Sequence, residues 1–338
     1  MAAKKDNHVV MSAPVHENFV QKIKEVLPKS VGLADEIAEL LEISNDSAYR
    51  RIRGETSFSL EEVYTICKKY NISMDDVFSN RADTVTFAYT KLIAKADSFE
   101  NYFNRLLGHL NAIYKADTRR IYYVAEETPI FYSFFSERLA AFKLFYWLRS
   151  VLNAPEYQSQ KFDWNVVPKS LVETAHNSYK LFQSVPTTEV WTTETVLTGL
   201  KQVRFYYDSG VIEQSHALEI LADTRKMIER VQENAERGKK NSSDTEESFV
   251  LYHSEILLGT NCIYVQAGQS KYSYISFNTV NSLSTQNSEF CEETEHWINS
   301  LERKSLKISG AAEKHRNKLF NKIFKYIDSY IEAIKNEL

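Results

Sequence analysis

The N-terminal part of the chain consists of short amphipathic segments separated by residues that begin or end helices, and this pattern constrains the fold most. Apolar residues recur at helical spacing in residues 16–27, 33–43 and 45–53. Ser44 is suited to cap the third segment, because its side-chain oxygen can accept a hydrogen bond from the backbone donors of the first turn. Gly54 tolerates the left-handed conformation that follows many helices. The pattern predicts three short helices with tight connections.

Two further helices complete the prediction for this region. Ser59 and Glu62 have the spacing of a capping box, which predicts a fourth helix, and residues 72–78 predict a closing turn. The third helix is apolar only on a narrow side, through Ala48 and Ile52, so its outer face is polar. Five short helices with a tight turn between the second and third are typical of a helix-turn-helix arrangement.

Residues 33–78 resemble the Cro/C1-type (XRE) helix-turn-helix regulators. The family pattern is a helix, an apolar-Ser turn, a recognition helix, Gly, a polar loop, Ser-Leu-Glu and a closing Ser-x-Asp-x-apolar segment. The residues that carry the resemblance are Ala38, Ile43, Ser44, Gly54, Ser59, Leu60, Ser73 and Asp75. The chain departs from the pattern at Glu42, where the family often has Gly, and at Arg51, where the residue is commonly apolar.

The resemblance implies that the third helix enters the major groove of double-stranded DNA. Arg50 would then pair with guanine and Asn45 with adenine, while flanking groups would contact phosphates. The candidate base-contacting residues are Asn45, Asp46, Tyr49 and Arg50. The candidate phosphate-contacting residues are Ser47, Arg53, Thr56 and Ser57, with Ser44 at the start of the helix. Three or four phosphate contacts give a single copy a salt slope of only about −3 to −4, so we expect a homodimer.

Charge leaves a second interpretation open. Residues 29–78 contain six basic against ten acidic residues, so this region is not a basic patch as a whole. Arginines in the last turn of a helix also offset the helix dipole without any DNA. The alternative to a DNA-binding regulator is therefore an adaptor whose helix-turn-helix unit contacts protein.

The remaining 260 residues predict a larger mixed domain. Its helical segments are 98–115, 136–152, 168–182, 193–207, 213–237, 289–306 and 311–337. Its strand-like segments are 85–92 and 119–126, and a three-stranded meander is predicted over 249–258, 260–267 and 271–277. Residues 236–248 are charged and serine-rich, which predicts a mobile loop.

These patterns predict an α+β fold that is mostly α, in three parts. A flexible arm covers residues 1–14, a helix-turn-helix DNA-binding domain covers 15–80, and a regulatory and dimerisation domain covers 81–338. The whole-chain pattern, including the TNCIYVQAG hairpin and the EHWINSL stretch, resembles one-component regulators of the Bacteroidota. These regulators have no established ligand, so the resemblance does not indicate what an effector would be.

Ten aromatic residues lie between Tyr122 and Trp147. Rings at helical spacing usually pack inside a core, and this is the interpretation that we favour. The alternative is a pocket for an apolar small-molecule effector, or a dimer seam. The candidate residues for that alternative are Tyr123, Phe131, Phe135, Phe142 and Trp147.

Composition excludes other function classes. The net charge of −4 gives no whole-molecule attraction for polyanions, and no uncharged apolar run approaches the about 18–20 residues that span a bilayer. We therefore expect a cytoplasmic protein without membrane contact. The three cysteines are scattered, and the sequence lacks HExxH, GxSxG, GxxxxGK[ST] and GxGxxG motifs. We expect no metal, no cofactor and no catalysis, and an enzyme without a recognisable motif remains the third alternative.

Overall fold

The computed structural model describes residues 13–27, 32–70, 72, 74, 77, 84–244 and 246–336. The chain divides into two compact units, unit 1 over Met1–Thr86 and unit 2 over Phe87–Leu338. The structure is 57% helical and 13% strand, which confirms an α+β fold that is mostly α. The predicted arm falls on residues that the structure does not describe, except that Ala13 and Pro14 already belong to the first helix.

Four helices form the described part of unit 1. They are α1 (Ala13–Val26), α2 (Leu33–Leu41), α3 (Asn45–Ile52) and α4 (Leu60–Tyr70). Each contributes side chains to one small core, formed by Phe19, Ile23, Ile37, Ala38, Ala48, Ile66, Cys67 and Val77. The predicted fifth helix lies mostly outside the described residues, but Ile72, Met74 and Val77 pack on this core as expected.

Unit 2 contains one eight-stranded mixed sheet. The strands are β1 (Ala88–Tyr89), β2 (Arg119–Ala125), β3 (Thr187–Trp191), β4 (Phe249–His253), β5 (Cys262–Ala267), β6 (Ser270–Phe277), β7 (Asn281–Thr285) and β8 (Leu306–Lys307). Their order in the sheet is β1-β7-β6-β5-β2-β3-β4-β8. Strands β2, β3 and β4 are parallel, and every other neighbouring pair is antiparallel.

The predicted three-stranded meander is therefore wrong in its first strand. β4 pairs with β3 and β8 rather than with β5, and the antiparallel meander is β5-β6-β7. The prediction also missed β3, in which all five residues are buried. A strand buried on both faces shows no alternation of polar and apolar residues, and parallel neighbours need long crossovers that sequence proximity does not reveal.

Helices cover both faces of the sheet. They are α5 (Ala96–Lys115), α6 (Glu137–Tyr146), α7 (Lys169–Gln183), α8 (Leu197–Asp208), α9 (Gln214–Arg237), α10 (Ser288–Lys304) and α11 (Glu313–Lys335). Successive β2 residues face opposite layers, because Tyr123 belongs to the larger core and Val124 to the smaller core beneath α10. A π-helical turn, Trp147–Val151, continues α6.

The segment predicted as a mobile loop, 236–248, has fixed contacts in the structure. Its first two residues still belong to α9. Lys240 is fully buried, and its Nζ donates to the carbonyl oxygens of Phe182 at 3.0 Å and Val185 at 3.1 Å. The polar composition suggested solvent exposure, but a buried lysine that reaches backbone acceptors ties the loop to the core instead.

Candidate nucleic-acid interface

The turn between α2 and α3 has the geometry that a helix-turn-helix unit requires. Glu42 adopts the left-handed conformation (φ 54°, ψ 41°), and the Ile43 N–H donates to the carbonyl oxygen of Ala38 at 3.0 Å, closing α2. Ser44 is extended, and its Oγ accepts from the Ser47 N–H at 3.3 Å. The predicted Ser44 cap is confirmed. Glu42 occupies a conformation that favours Gly, so the departure noted in the sequence carries a local backbone strain.

The far end of α3 also follows the prediction. Gly54 has a φ of 78°, and its N–H donates to the carbonyl oxygen of Arg51 at 3.0 Å. The inner face of α3 is anchored by Ala48, which is fully buried. Because this anchor fixes which side of the helix packs inward, the opposite side faces outward.

The outward side carries the predicted DNA-binding residues. All are exposed except Ser47, which is half-buried, and the exposed set is Ser44, Asn45, Asp46, Tyr49, Arg50, Arg53, Thr56 and Ser57. Unit 1 therefore brings these residues together on one surface, formed by α3 and the loop after it. Tyr49 stands out, because 53% of its surface is exposed despite its size.

Both exposed arginines are paired with nearby carboxylates. Arg50 Nε lies 3.1 Å from Asp46, and Arg53 Nε lies 3.2 Å from Glu55. The two arginine side chains keep 58% of their surface exposed, and exposed pairs of this kind contribute only about 0–1 kcal/mol. Exchanging these carboxylates for a phosphate or a base edge therefore costs little.

Arg51 differs from its two neighbouring arginines. Its guanidinium makes bidentate hydrogen bonds to the Glu62 carboxylate, at 2.9–3.1 Å, and the two side chains are only 19% and 18% exposed. Bonding to Arg51 lowers the pKa of Glu62 below its usual value. The position is commonly apolar in the family that the sequence resembles, and here an ion pair joins α3 to the start of α4 instead.

The Glu62 side chain also takes part in capping α4. Its carboxylate accepts from the Ser59 N–H at 2.9 Å, while the Glu62 N–H donates to Ser59 Oγ at 3.2 Å. This reciprocal pair confirms the predicted capping box. One carboxylate thus caps α4 and holds the guanidinium of Arg51, which fixes α3 against α4.

An exposed apolar stripe lies on α4. Leu60 is 70% exposed and Tyr64 is 62% exposed, one helical turn apart, with the Lys68 ammonium 5.7 Å from the Tyr64 ring centre. The apolar spacing of this segment predicts that both side chains pack into the core, and for these two residues the prediction is wrong. Leu60 and Tyr64 instead form an exposed apolar surface on α4.

In unit 2 the five aromatic candidates belong to the core. Tyr123, Phe131, Phe142 and Trp147 are at most 6% exposed, and Phe135 packs against them while remaining half-buried. Three of them, Tyr123, Phe131 and Trp147, also border a cavity of about 230 Å³, whereas Phe135 and Phe142 do not.

This cavity lies between α5 on one side and the face formed by β5, β6 and β7 on the other, with the chain after β2 at one end. Besides tyrosines, the titratable side chains that border it are those of Arg105, His109, Glu127 and Lys143. The sequence interpretation did not find these four residues, because they lie on different elements that only the tertiary packing brings together.

The part of the chain that the structure describes contains no group of three or more His, Cys, Asp or Glu side chains placed to hold a metal ion, and the three cysteines are free thiols. Among the described helices, none combines the length and the apolar surface that crossing a bilayer requires.

The fold of unit 1 and its polar outward side define a helix-turn-helix unit of the kind that DNA-binding regulators use. The BetR domain family matches residues 19–92. This family comprises helix-turn-helix-like domains to which DNA binding is ascribed, so the match indicates a DNA-binding regulator at the N-terminus. No curated protein and no solved structure matches the chain.

Proposed function

We propose that the protein is a sequence-specific, one-component transcriptional regulator that reads double-stranded DNA through α3 in the manner of the Cro/C1-type family. The observation that carries the proposal is the outward side of α3, whose exposed residues are held by an anchored, capped helix within the matched BetR domain. An α-helix with its side chains is about 10–12 Å in diameter, so it fits the major groove, which is about 12 Å wide.

We assign base contacts to Asn45, Asp46, Tyr49 and Arg50 of α3. Asn45 donates to Asp35 at 2.8 Å in the free protein, and Arg50 pairs with Asp46, so each has an exposed partner that DNA can replace. Arg50 is suited to guanine and Asn45 to adenine, while a carboxylate such as Asp46 can accept from cytosine.

We assign phosphate contacts to the flanks of the same helix. Arg53 lies just after α3, and Thr56 and Ser57 lie in the exposed loop that follows it. Ser47 is half-buried next to the cap at Ser44. Contacts to phosphate position the helix without choosing a sequence, so they should act differently from base contacts when they are removed.

Unit 2 is proposed to act in two ways, as a dimerisation domain and as a sensor of a small-molecule effector. The expected affinity for DNA favours a dimer. The few phosphate contacts of one copy give weak, salt-sensitive binding, and two copies double the number of contacts. The sensor role is supported by the cavity of about 230 Å³ in an otherwise closely packed core.

A second function has its own observation in favour. The exposed Leu60 and Tyr64 on α4, together with the excess of acidic residues over 29–78, suit a unit that contacts protein. In that case α3 would carry no base-reading role, and this adaptor function is the alternative that the experiment must separate.

The experiment is a selection of bound fragments from random duplex DNA by the full-length chain. The regulator predicts an enriched motif with two half-sites whose centres are about 10–10.5 base pairs apart. Arg50→Ala should lose preference at one motif position, and Lys169→Ala, which removes a well-exposed charge in unit 2, should leave the motif unchanged. Absence of enrichment over the input pool would contradict the regulator and favour the adaptor.

A further inference from the structure

We propose that the cavity of unit 2 binds a small organic acid with an apolar body, whose carboxylate is held by Lys143 inside the cavity and by Arg105 at its border. The inference deepens the proposed sensor role and rests on it only in calling this acid an effector. The walls, the volume and the charges of the cavity each favour binding of such an acid.

The cavity lies between α5 and the face of the sheet formed by β5, β6 and β7. It extends to the carboxyl end of β2, where Glu127 and Thr128 border it. The apolar part of its wall includes Leu110, Ile113, Tyr123, Phe131, Ile263 and Val265.

The volume limits the size of the ligand. An apolar cavity of about 150 Å³ holds benzene, so about 230 Å³ holds a molecule of about nine or ten non-hydrogen atoms. This corresponds to one aromatic ring, or a short alkyl chain, with a carboxylate. A larger molecule would have to extend beyond the cavity.

Lys143 is the cationic side chain that we expect to bind the carboxylate of the ligand. The Lys143 side chain is half-buried, and its ammonium lies 5.3 Å from the centre of the Trp147 ring. Desolvation in this position lowers the pKa of this lysine. Its Nζ donates to Gln202 Oε1 at 2.9 Å, and no carboxylate of the described residues forms an ion pair with it. An ammonium has three N–H donors, so one acceptor leaves two of them for a ligand.

The remaining charges favour the same sign of ligand. Arg105 and His109 lie one turn apart on α5, are exposed, and form neither an ion pair nor a hydrogen bond within the described residues. Glu127 is the one carboxylate among the described lining residues. Lys143 and Arg105 against Glu127 leave an excess of positive charge around the cavity, which attracts an acid.

A neutral or cationic ligand fits less well. A neutral molecule of the same shape would fill the apolar space but would offer the Lys143 ammonium no opposite charge, and hydrogen bonds between two charged groups are the stronger ones. A cation would be repelled by Lys143 and Arg105. We therefore expect the site to bind an acid more tightly than the neutral amide of the same acid.

The experiment is calorimetric titration of the full chain with phenylacetate and hexanoate, each compared with its primary amide. We expect each acid to bind at least about tenfold more tightly than its amide. Lys143→Met should reduce the affinity for the acid to that for the amide, and Arg105→Gln, a change at an exposed position, should weaken acid binding several-fold. Lys169→Met, the matched lysine control on the surface, should change neither.

Two results would overturn the inference. One is that none of the four probes binds, and the other is that acid and amide bind equally, with Arg105→Gln and Lys143→Met both without effect. Leu106→Trp, which places a larger side chain at the cavity border, should abolish binding of acid and amide alike, and retained binding would locate the ligand elsewhere. If no probe binds while the chain still selects a DNA motif, only this inference fails. If the acids bind but no DNA is selected, the proposed function fails.

Discussion

The two candidate sites of this protein are built in opposite ways. The residues of unit 1 that we propose to face DNA come from one helix and the loop after it, residues 44–57, and nearly all of them are exposed. The cavity of unit 2 draws its lining from residues between 88 and 284, which the sheet brings together. A surface site of the first kind depends on local order, whereas a cavity of the second kind depends on the whole core.

The same contrast governs the charges. In unit 1, Arg50 and Arg53 hold carboxylates in solvent, where the pairs are weak. In unit 2, Glu189 is fully buried on β3 and accepts hydrogen bonds from Tyr132, Thr187 and Trp191 at 2.9–3.0 Å. Exposed charges remain free to change partner, and buried ones hold the fold.

The largest effect is expected at this buried carboxylate. Burial raises the pKa of Glu189, and its three donors have no other acceptor if the carboxylate is removed. Glu189→Ala should destabilise unit 2 by about 3–5 kcal/mol. Urea unfolding followed by tryptophan fluorescence measures this, because all four tryptophans lie in unit 2. Asp46→Ala, the exposed comparison, lies in unit 1, which has no tryptophan, so its unfolding is followed by far-ultraviolet circular dichroism. It should change stability by less than about 0.5 kcal/mol, and equal effects of the two variants would contradict the comparison.

A smaller effect separates two neighbouring arginines in unit 1. Arg51→Met should lower the stability of unit 1 by about 1–3 kcal/mol, because it leaves the partly buried Glu62 carboxylate without its bidentate partner. Arg50→Ala should cost less than about 0.5 kcal/mol. Thermal unfolding followed by far-ultraviolet circular dichroism checks both variants. A larger loss for Arg50→Ala would show that α3 is held from its outward side.

The pH dependence of the stability of unit 1 tests the same Arg51–Glu62 ion pair. The pKa of Glu62 is lowered in the folded protein by Arg51, so the unfolded state binds the proton more tightly. The stabilisation is present above the unfolded value of about 4.5 and is lost as the pH falls through the lowered folded value. Glu62→Gln should therefore lose stability at about pH 6 but little at about pH 3. Urea titrations at both values test this, and a constant difference between variant and wild type would contradict it.

The smallest effect is expected at the strained turn. Glu42→Gly should stabilise unit 1 by up to about 1 kcal/mol, because Gly adopts the left-handed conformation without steric cost but loses more backbone entropy on folding. Thermal unfolding by circular dichroism measures the change. Destabilisation would mean that the Glu42 side chain contributes contacts that outweigh the strain.

Local features could be predicted from the sequence and long-range ones could not. Ser44, Gly54 and the Ser59–Glu62 pair act on backbone groups within a few residues, so their spacing alone identified the caps. The Arg51–Glu62 pair spans eleven residues, and the sequence showed only that Arg51 was unusual.

In unit 2, tertiary packing decides what the local pattern leaves open. The five residues of β3 are buried on both faces, so no alternation marked them as a strand. The place of β4 beside β3 depends on a crossover of more than fifty residues. Arg105, Glu127 and Lys143 lie on different elements, and only the packing of these elements brings the three residues to one cavity. The aromatic segment was recognised as core, but its partial role as a cavity wall requires the sheet.

The central claim is that the outward side of α3 meets duplex DNA, and a salt titration of affinity for the selected duplex tests it most directly. Wild type should show a steep fall in affinity with salt, Arg53→Ala should reduce that slope by about 1, and Arg50→Ala should lose about 1–3 kcal/mol of discrimination at one base pair. Binding by all three proteins with equal affinity and without salt dependence would contradict the claim.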